Sequence, residues 1–281
     1  MKLSVIPTGN FKLDGGSMFG IVPKSMWSKL NPPDENNLCT WAMRTLLLET
    51  GDKKILIDTG IGNKQDAKFR SHFHPTEHIL QKSLAAQNVK TEEITDVILT
   101  HLHFDHVGGA CNFDEKQNIV PVFENAKYWS NEAQWNWAMQ PNMKEKASFL
   151  QENFVPIQKA NRLQFIDIQQ DIEIFKDVNL HFTNGHTEKM MMPMIQINGK
   201  TVIFCADSLA ASYFVGMPYV MSYDIRPLDT LEEKEWLLSE AAAKNWILFF
   251  EHDPVFEAAT IKKNEQGRFV VDKAGDLEMF L

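Results

Sequence analysis

The sequence predicts an α/β protein. Short apolar runs bounded by turn residues recur along the whole chain, and amphipathic stretches interleave with them. The 281 residues are 44% hydrophobic and 23% charged, enough apolar material to bury a core. Strands are expected at 2–6, 43–49, 54–57 and 96–100, then at 179–183, 192–197, 201–205 and 247–251. A helix is expected at 77–87, because Ile79, Leu80, Leu84 and Ala85 share one face. A second is expected at 231–245, opened by Thr230 and Glu233 in the spacing of a capping box. Strands alternating with helices point to sheets covered by helices. Between about 111 and 170 the chain turns polar and aromatic, with Trp129, Trp135, Trp137, Phe149 and Phe154 expected in helices. That stretch reads as a helical insertion on a single domain spanning 1–281, since no repeat or Pro/Gly/Ser-rich linker divides the chain.

The balance of 28 basic and 37 acidic side chains, a net charge of -9, disfavours nucleic acid and anionic membrane surfaces as partners. Cys39, Cys111 and Cys205 are too few and too far apart for a disulfide scaffold, which fits a reducing compartment. The amino terminus lacks the apolar length of an export signal, and the strongest candidate for a membrane span, Trp246 to Phe250, is only strand length. A cytoplasmic protein acting on a small molecule is therefore expected.

The informative segment begins at Asp96: Val-Ile-Leu-Thr-His101-Leu-His103-Phe-Asp105-His106-Val-Gly108-Gly109 follows it. A buried strand ends at Thr100, and three histidines and an aspartate come within the next six residues. Packing does not demand such a density. Imidazole nitrogen and carboxylate oxygen are ligands for zinc and similar divalent ions, and His101 and His103 project the same way from an extended backbone.

In these residues the chain resembles the metallo-β-lactamase-fold hydrolases, whose HxHxDH signature is matched by His101, His103, Asp105 and His106. The resemblance extends further. Ile55-Leu56-Ile57-Asp58-Thr59-Gly60 matches the strand ending in Asp-x-Gly, whose aspartate supports the metal loop. Gly185-His186-Thr187 matches a later histidine ligand, 85 residues beyond His101. Asp207, another 21 residues on, matches the bridging carboxylate, and His252 the last histidine, 45 residues later. The resemblance implies a four-layer αββα sandwich holding two divalent ions, with zinc favoured over manganese, iron or cobalt. It assigns His101, His103 and His186 to one ion, Asp105, His106 and His252 to the other, Asp207 to both, and Asp58 to a supporting position behind the ligands.

Two ions sharing a solvent molecule supply hydroxide near neutral pH and polarise a carbonyl or phosphoryl oxygen, so the implied reaction is hydrolysis. Asp105 is the residue expected to orient the nucleophile and carry a proton to the leaving group. Within the superfamily the chain is most similar to the group of quorum-quenching N-acyl homoserine lactone lactonases and organophosphate hydrolases, through the segment from Asp14 to Trp27. Lactonases of that group carry a tyrosine three residues after the bridging aspartate, and this chain has Ala210. Opening of a lactone or related ester is the expected activity, with aryl phosphotriester hydrolysis as the alternative. A non-catalytic metal-binding regulator on the same fold is a third reading. Phe19, Trp27, Phe104 and Tyr213 are candidates for the walls of an apolar pocket, or for core packing. Homodimerisation is expected from the resemblance alone. A second His-x-His, Arg70-Ser71-His72-Phe73-His74, lacks the Asp-His that would complete a ligand motif, and Cys205 reads as a small buried hydrophobe.

Overall fold

The first strand, β1 (Lys2–Asp14), runs well past its expected end, through Pro7 and Gly9. Pro7, which lacks an amide donor, is tolerated because β1 lies at the edge of its sheet, and Gly9 takes φ 130, a conformation that L side chains rarely adopt. The structure, a computed structural model, describes residues 1–168 and 172–281. After β1 come two short helices, α1 (Gly15–Phe19) and α2 (Lys24–Trp27), then β2 (Leu38–Thr50) and β3 (Lys53–Ile57). Helices α3 (Ala67–Phe73) and α4 (Leu80–Ala86) lead to β4 (Asp96–Ile98), α5 (Phe104–Val107) and the hairpin β5 (Cys111–Phe113) and β6 (Ile119–Pro121). Next are β7 (Lys127–Ser130), α6 (Glu132–Met139), α7 (Val155–Lys159) and β8 (Leu163–Phe165). The remainder is β9 (Ile172–Phe175), β10 (Val178–Thr183), β11 (Met190–Ile197), β12 (Lys200–Phe204), α8 (Pro227–Lys244), β13 (Ile247–Phe249), β14 (Ala258–Lys263) and β15 (Phe269–Gly275).

The α/β class is as expected, and the described chain groups into two compact units, with boundaries inside β1 and β2. The first unit holds residues 1–11 and 43–168; the second holds 12–42 and, among the described residues, 172–281. In the first, the sheet order is β1-β2-β3-β4-β7-β8, with β3, β4, β7 and β8 parallel to one another. Leu47, Leu56 and Val97 from this sheet, with Leu99 just beyond β4, share a core with Leu80 and Leu84 of α4, Trp135 and Ala138 of α6 and Ile157 of α7. In the second, the order is β15-β14-β13-β12-β11-β10-β9, with β12 and β13 parallel and the other pairs antiparallel. Helix α8 buries Leu237, Leu238 and Ala241 and packs on β14.

Three expectations are corrected. The stretch 111–168 is less helical than its composition suggests; residues 169 and 170, which end the expected insertion, lie outside the described residues. Trp129 belongs to β7, an interior strand of the first sheet, and only Trp135 and Trp137 of the five aromatics lie in a helix. The indole nitrogen of Trp129 reaches Asp96 at 2.8 Å, which lets a large amphipathic ring sit on a strand. The capping box at Thr230 does not form. Pro227, pre-set for the first helical turn, starts α8 one turn earlier and places Thr230 inside it. Among the described residues no helix is long and apolar enough to cross a membrane.

Candidate metal centre

In the first unit the parallel pairing of Ile57 with Ile98 brings the ends of β3 and β4 side by side. Both following loops therefore leave the sheet at the same end, where α/β proteins assemble their sites. Asp58 sits at φ 62, a left-handed conformation that aspartate tolerates better than branched residues do. Its Oδ1 accepts from the Thr100 amide at 2.8 Å, and its Oδ2 from the Thr100 hydroxyl at 2.6 Å. The same Oδ2 faces His106 Nδ1 at 3.1 Å. Since the Thr100 hydroxyl spends its hydrogen on Asp58, its oxygen accepts from His101 Nδ1 at 3.1 Å. The network thus assigns the proton of both rings to Nδ1 and leaves each Nε2 with its lone pair.

His103 is held the other way round. Its Nε2 lies 3.3 Å from Glu145 Oε1, which places the ring proton on Nε2 and the lone pair on Nδ1. The His101 ring centroid is 4.6 Å from that of His103 and 3.9 Å from that of His106. Asp105 Oδ2 lies 3.9 Å from His106 Nε2. All four motif residues are buried, from 0% exposure for His101 and His106 to 8% for Asp105.

In the second unit three donors each sit three residues beyond a strand end: His186 after β10, Asp207 after β12 and His252 after β13. Strand β10 runs in the direction of β12, since both are antiparallel to β11, and Phe204 pairs with Phe249 across the parallel β12 and β13. The three loops consequently leave one end of the sheet. His186 Nδ1 is 2.9 Å from Asp224 Oδ1, and His252 Nδ1 donates to the Ala42 carbonyl at 2.8 Å. Their Nε2 atoms face the Asp207 carboxylate at 3.1 and 3.4 Å. Burial pulls the pKa of His186 down, but the charges of Asp207 and Asp224 and their hydrogen bonds reverse this and raise it to about 10. The pocket around this ring draws positive charge, a demand that a divalent cation meets with the imidazole neutral.

The supports of this set escaped the sequence reading. Glu233, freed from capping, accepts the amides of Asn184 (2.6 Å) and Gly185 (3.1 Å), the two residues before His186. Buried Lys234 on the same helix donates to the carbonyls of Gly216, Met217 and Tyr219, fastening the loop that delivers Asp224. Ala206, next to Asp207, takes φ 45, a strained backbone of the sort that collects at functional loops. A Cβ on Gly185 would overlap the hydroxyl and backbone amide of Thr230. Gly185→Ala is therefore expected to lower stability by ~1–3 kcal/mol, the usual effect of overpacking, and to weaken metal retention by displacing His186; thermal melts and metal analysis of the variant check both.

The remaining candidates fall elsewhere. Phe19 and Trp27, expected either at a pocket wall or in the core, belong to the core: they are 0% and 2% exposed, with rings stacked 5.2 Å apart. Phe19 also meets Trp41 and Phe214, and a ring without exposed surface offers none to a ligand. Phe104 packs against Phe69 and Phe73, with centroids 5.0 and 4.6 Å away, and Tyr213 is half-buried beside Phe19. His72 and His74 are exposed, and no ligand cluster among the described residues includes them or His78. Cys39, Cys111 and Cys205 are buried and free. Burial raises all three thiol pKa values, which disfavours the thiolate a metal would need.

Strand-end loops carrying buried imidazole and carboxylate donors define an α/β protein of the metal-binding class. The chain belongs to the metallo-beta-lactamase superfamily, whose family pattern matches residues 44–252. An N-acyl homoserine lactonase of Bacillus cereus is 28% identical over 198 residues, 66% of this chain. The match spans 66% of that relative's own length, just under two thirds. A probable metal-dependent hydrolase from Staphylococcus aureus superposes with a TM-score of 0.87 at 26% identity, covering 98% of this chain and 96% of the other. AidC, a dizinc quorum-quenching lactonase solved with a product, gives a TM-score of 0.77 at 19% identity over 96% of this chain and 92% of its own. The metallo-β-lactamase fold implied by the HxHxDH motif is thereby shown.

Proposed function

We propose that the protein is a metal-dependent hydrolase that opens lactones of the N-acyl homoserine type or cleaves related esters. In this reading His101, His103 and His186 hold one divalent ion, Asp105, His106 and His252 a second, and Asp207 both, with zinc the favoured metal. One observation carries it: each of the five histidines has one ring nitrogen tied to an acceptor, namely Thr100, Glu145, Asp58, Asp224 or the Ala42 carbonyl. Tethering one nitrogen orients the ring and fixes the tautomer, the arrangement typical of metal-ligating imidazoles. Family membership and the name of the Bacillus cereus relative support the substrate class.

When bound, two divalent ions acidify a water and polarise the substrate oxygen. The chain's own residues do the rest. Asp58 and Thr100 hold His101 and His106 in their tautomers, while Asp224 holds His186. Asp105 takes a proton from the attacking water on its carboxylate and returns it to the leaving oxygen of the opened ring. The low exposure of the donors limits competing bulk water.

A panel of short- and long-chain acyl homoserine lactones, aryl esters and aryl phosphotriesters, run on zinc-loaded protein, tests the reading. Lactone turnover that a chelator abolishes is expected; no turnover of any class by metal-loaded protein contradicts it. Ala210, where lactonases of this group carry a tyrosine, favours a second reading as an aryl phosphotriester hydrolase, which the same panel separates by preference. Homodimerisation and a cytoplasmic location belong to the same proposal, the former checked by light scattering on the eluted protein.

A further inference from the structure

Glu145 comes from the polar stretch after β6, yet it is buried to 3% exposure against the first histidine loop. Its Oε1 lies 3.3 Å from His103 Nε2, while its Oε2 accepts from Trp137 Nε1 at 2.7 Å and Asn142 Nδ2 at 2.6 Å. The backbone is fixed as well: the Glu145 amide donates to Asn142 Oδ1 at 3.1 Å, and its carbonyl accepts from the Ser148 amide at 2.8 Å. Two further contacts tie the segment to the loop. The Ser148 carbonyl accepts from the Phe104 amide at 3.0 Å, and the Phe149 ring lies 4.7 Å from the His103 ring.

We infer that Glu145 is a positioning residue, by which the stretch between β6 and β8 sets the tautomer of His103 and the strength of its metal bond. The inference rests on the reading of His103 as a ligand. Geometry gives the reason. Trp137 and Asn142 both donate to Oε2, which fixes the plane of the carboxylate and leaves Oε1 directed at the imidazole. A proton held on Nε2 by an anionic acceptor confines the lone pair to Nδ1 and makes that nitrogen a stronger donor to a cation. The stretch then bears on the metal through this one carboxylate and its contact with His103, not through its packing as a whole. A carboxylate buried only for structure would have no such link.

The test compares zinc affinity, by chelator competition, with the melting temperature of the metal-free protein. Glu145→Gln keeps the shape and removes the charge; it is expected to weaken zinc binding by about 10- to 100-fold, the usual loss for a group behind a ligand. Glu145→Asp, which withdraws the charge by one methylene, is expected to lose part of that affinity and serves if the glutamine variant does not fold. Trp135→Phe perturbs packing of the same stretch, where Trp135 meets Phe154 at 5.4 Å, without touching Glu145. It is expected to lower the melting temperature and leave zinc affinity unchanged. Wild-type affinity in both Glu145 variants overturns the inference, as does an equal loss in Trp135→Phe. A wild type that binds no zinc overturns the ligand reading itself, a failure recognisable as separate.

Discussion

Asp207→Ala is expected to abolish hydrolysis and to strip the protein of metal in the same step. Both carboxylate oxygens face imidazoles of the second unit, Oδ2 toward His186 Nε2 at 3.1 Å and Oδ1 toward His252 Nε2 at 3.4 Å. A group that supports a ligand is typically worth about 10- to 100-fold in affinity or activity. If Asp207 bridges two ions as proposed, its loss should exceed that range, because it removes a negative charge from each. Fold and stability should change much less, since the residue lies in a loop beyond β12 and contributes no apolar packing. Metal analysis and activity, measured on one preparation with its circular dichroism, decide the matter. An active variant that keeps its metal refutes the bridging role.

Asp105→Asn should behave differently. The substitution keeps the shape of a residue that is 8% exposed and lies 3.9 Å from His106 Nε2, while removing the group able to take a proton. Proton transfer by a positioned side chain contributes about 10²- to 10⁴-fold, so kcat is expected to fall within that range with little change in KM. Part of the metal should remain, because the substitution leaves His106 and His252, the other proposed ligands of that ion, untouched. Kinetics normalised to metal content separate the two effects. A fall in activity that merely tracks the lost metal would assign Asp105 to binding alone.

The proposed ligands stand out in the sequence because their chemistry is concentrated in few residue types and placed after apolar strands. His101, His103, Asp105 and His106 carry a motif, and His186, Asp207 and His252 each follow a strand whose apolar run is visible in the sequence. The groups behind them were not legible. Glu145, Asp224 and Glu233 lie 38 to 49 positions from the residues they hold, among ordinary acidic residues with no pattern of their own. The Ala42 carbonyl carries no side-chain signal at all. Glu233 was read as a cap because Thr230 precedes it at the right spacing, but tertiary demand for the Asn184 and Gly185 amides outweighs a local box.

The fold was legible in the same uneven way. Interior strands such as β3, β4 and β12 announce themselves as unbroken apolar runs, whereas the edge strand β15 and its neighbour β14 carry lysines and polar residues and were missed. Strand β7 was hidden by an aromatic and polar composition that suits a helix equally well. Phe19 and Trp27 show the limit of pattern alone. An aromatic side chain near a functional segment has the same sequence signature whether it lines a cavity or fills the core, and only burial and ring contacts, Phe19 on Trp27 and on Phe214, decide it.

The central claim is that seven residues of this chain hold two divalent ions. Titration of metal-free protein with zinc, followed by equilibrium dialysis and elemental analysis, tests it most directly. Binding that saturates at about two ions per chain is the result the account predicts. Saturation below one ion per chain, in protein shown to be folded, would contradict it.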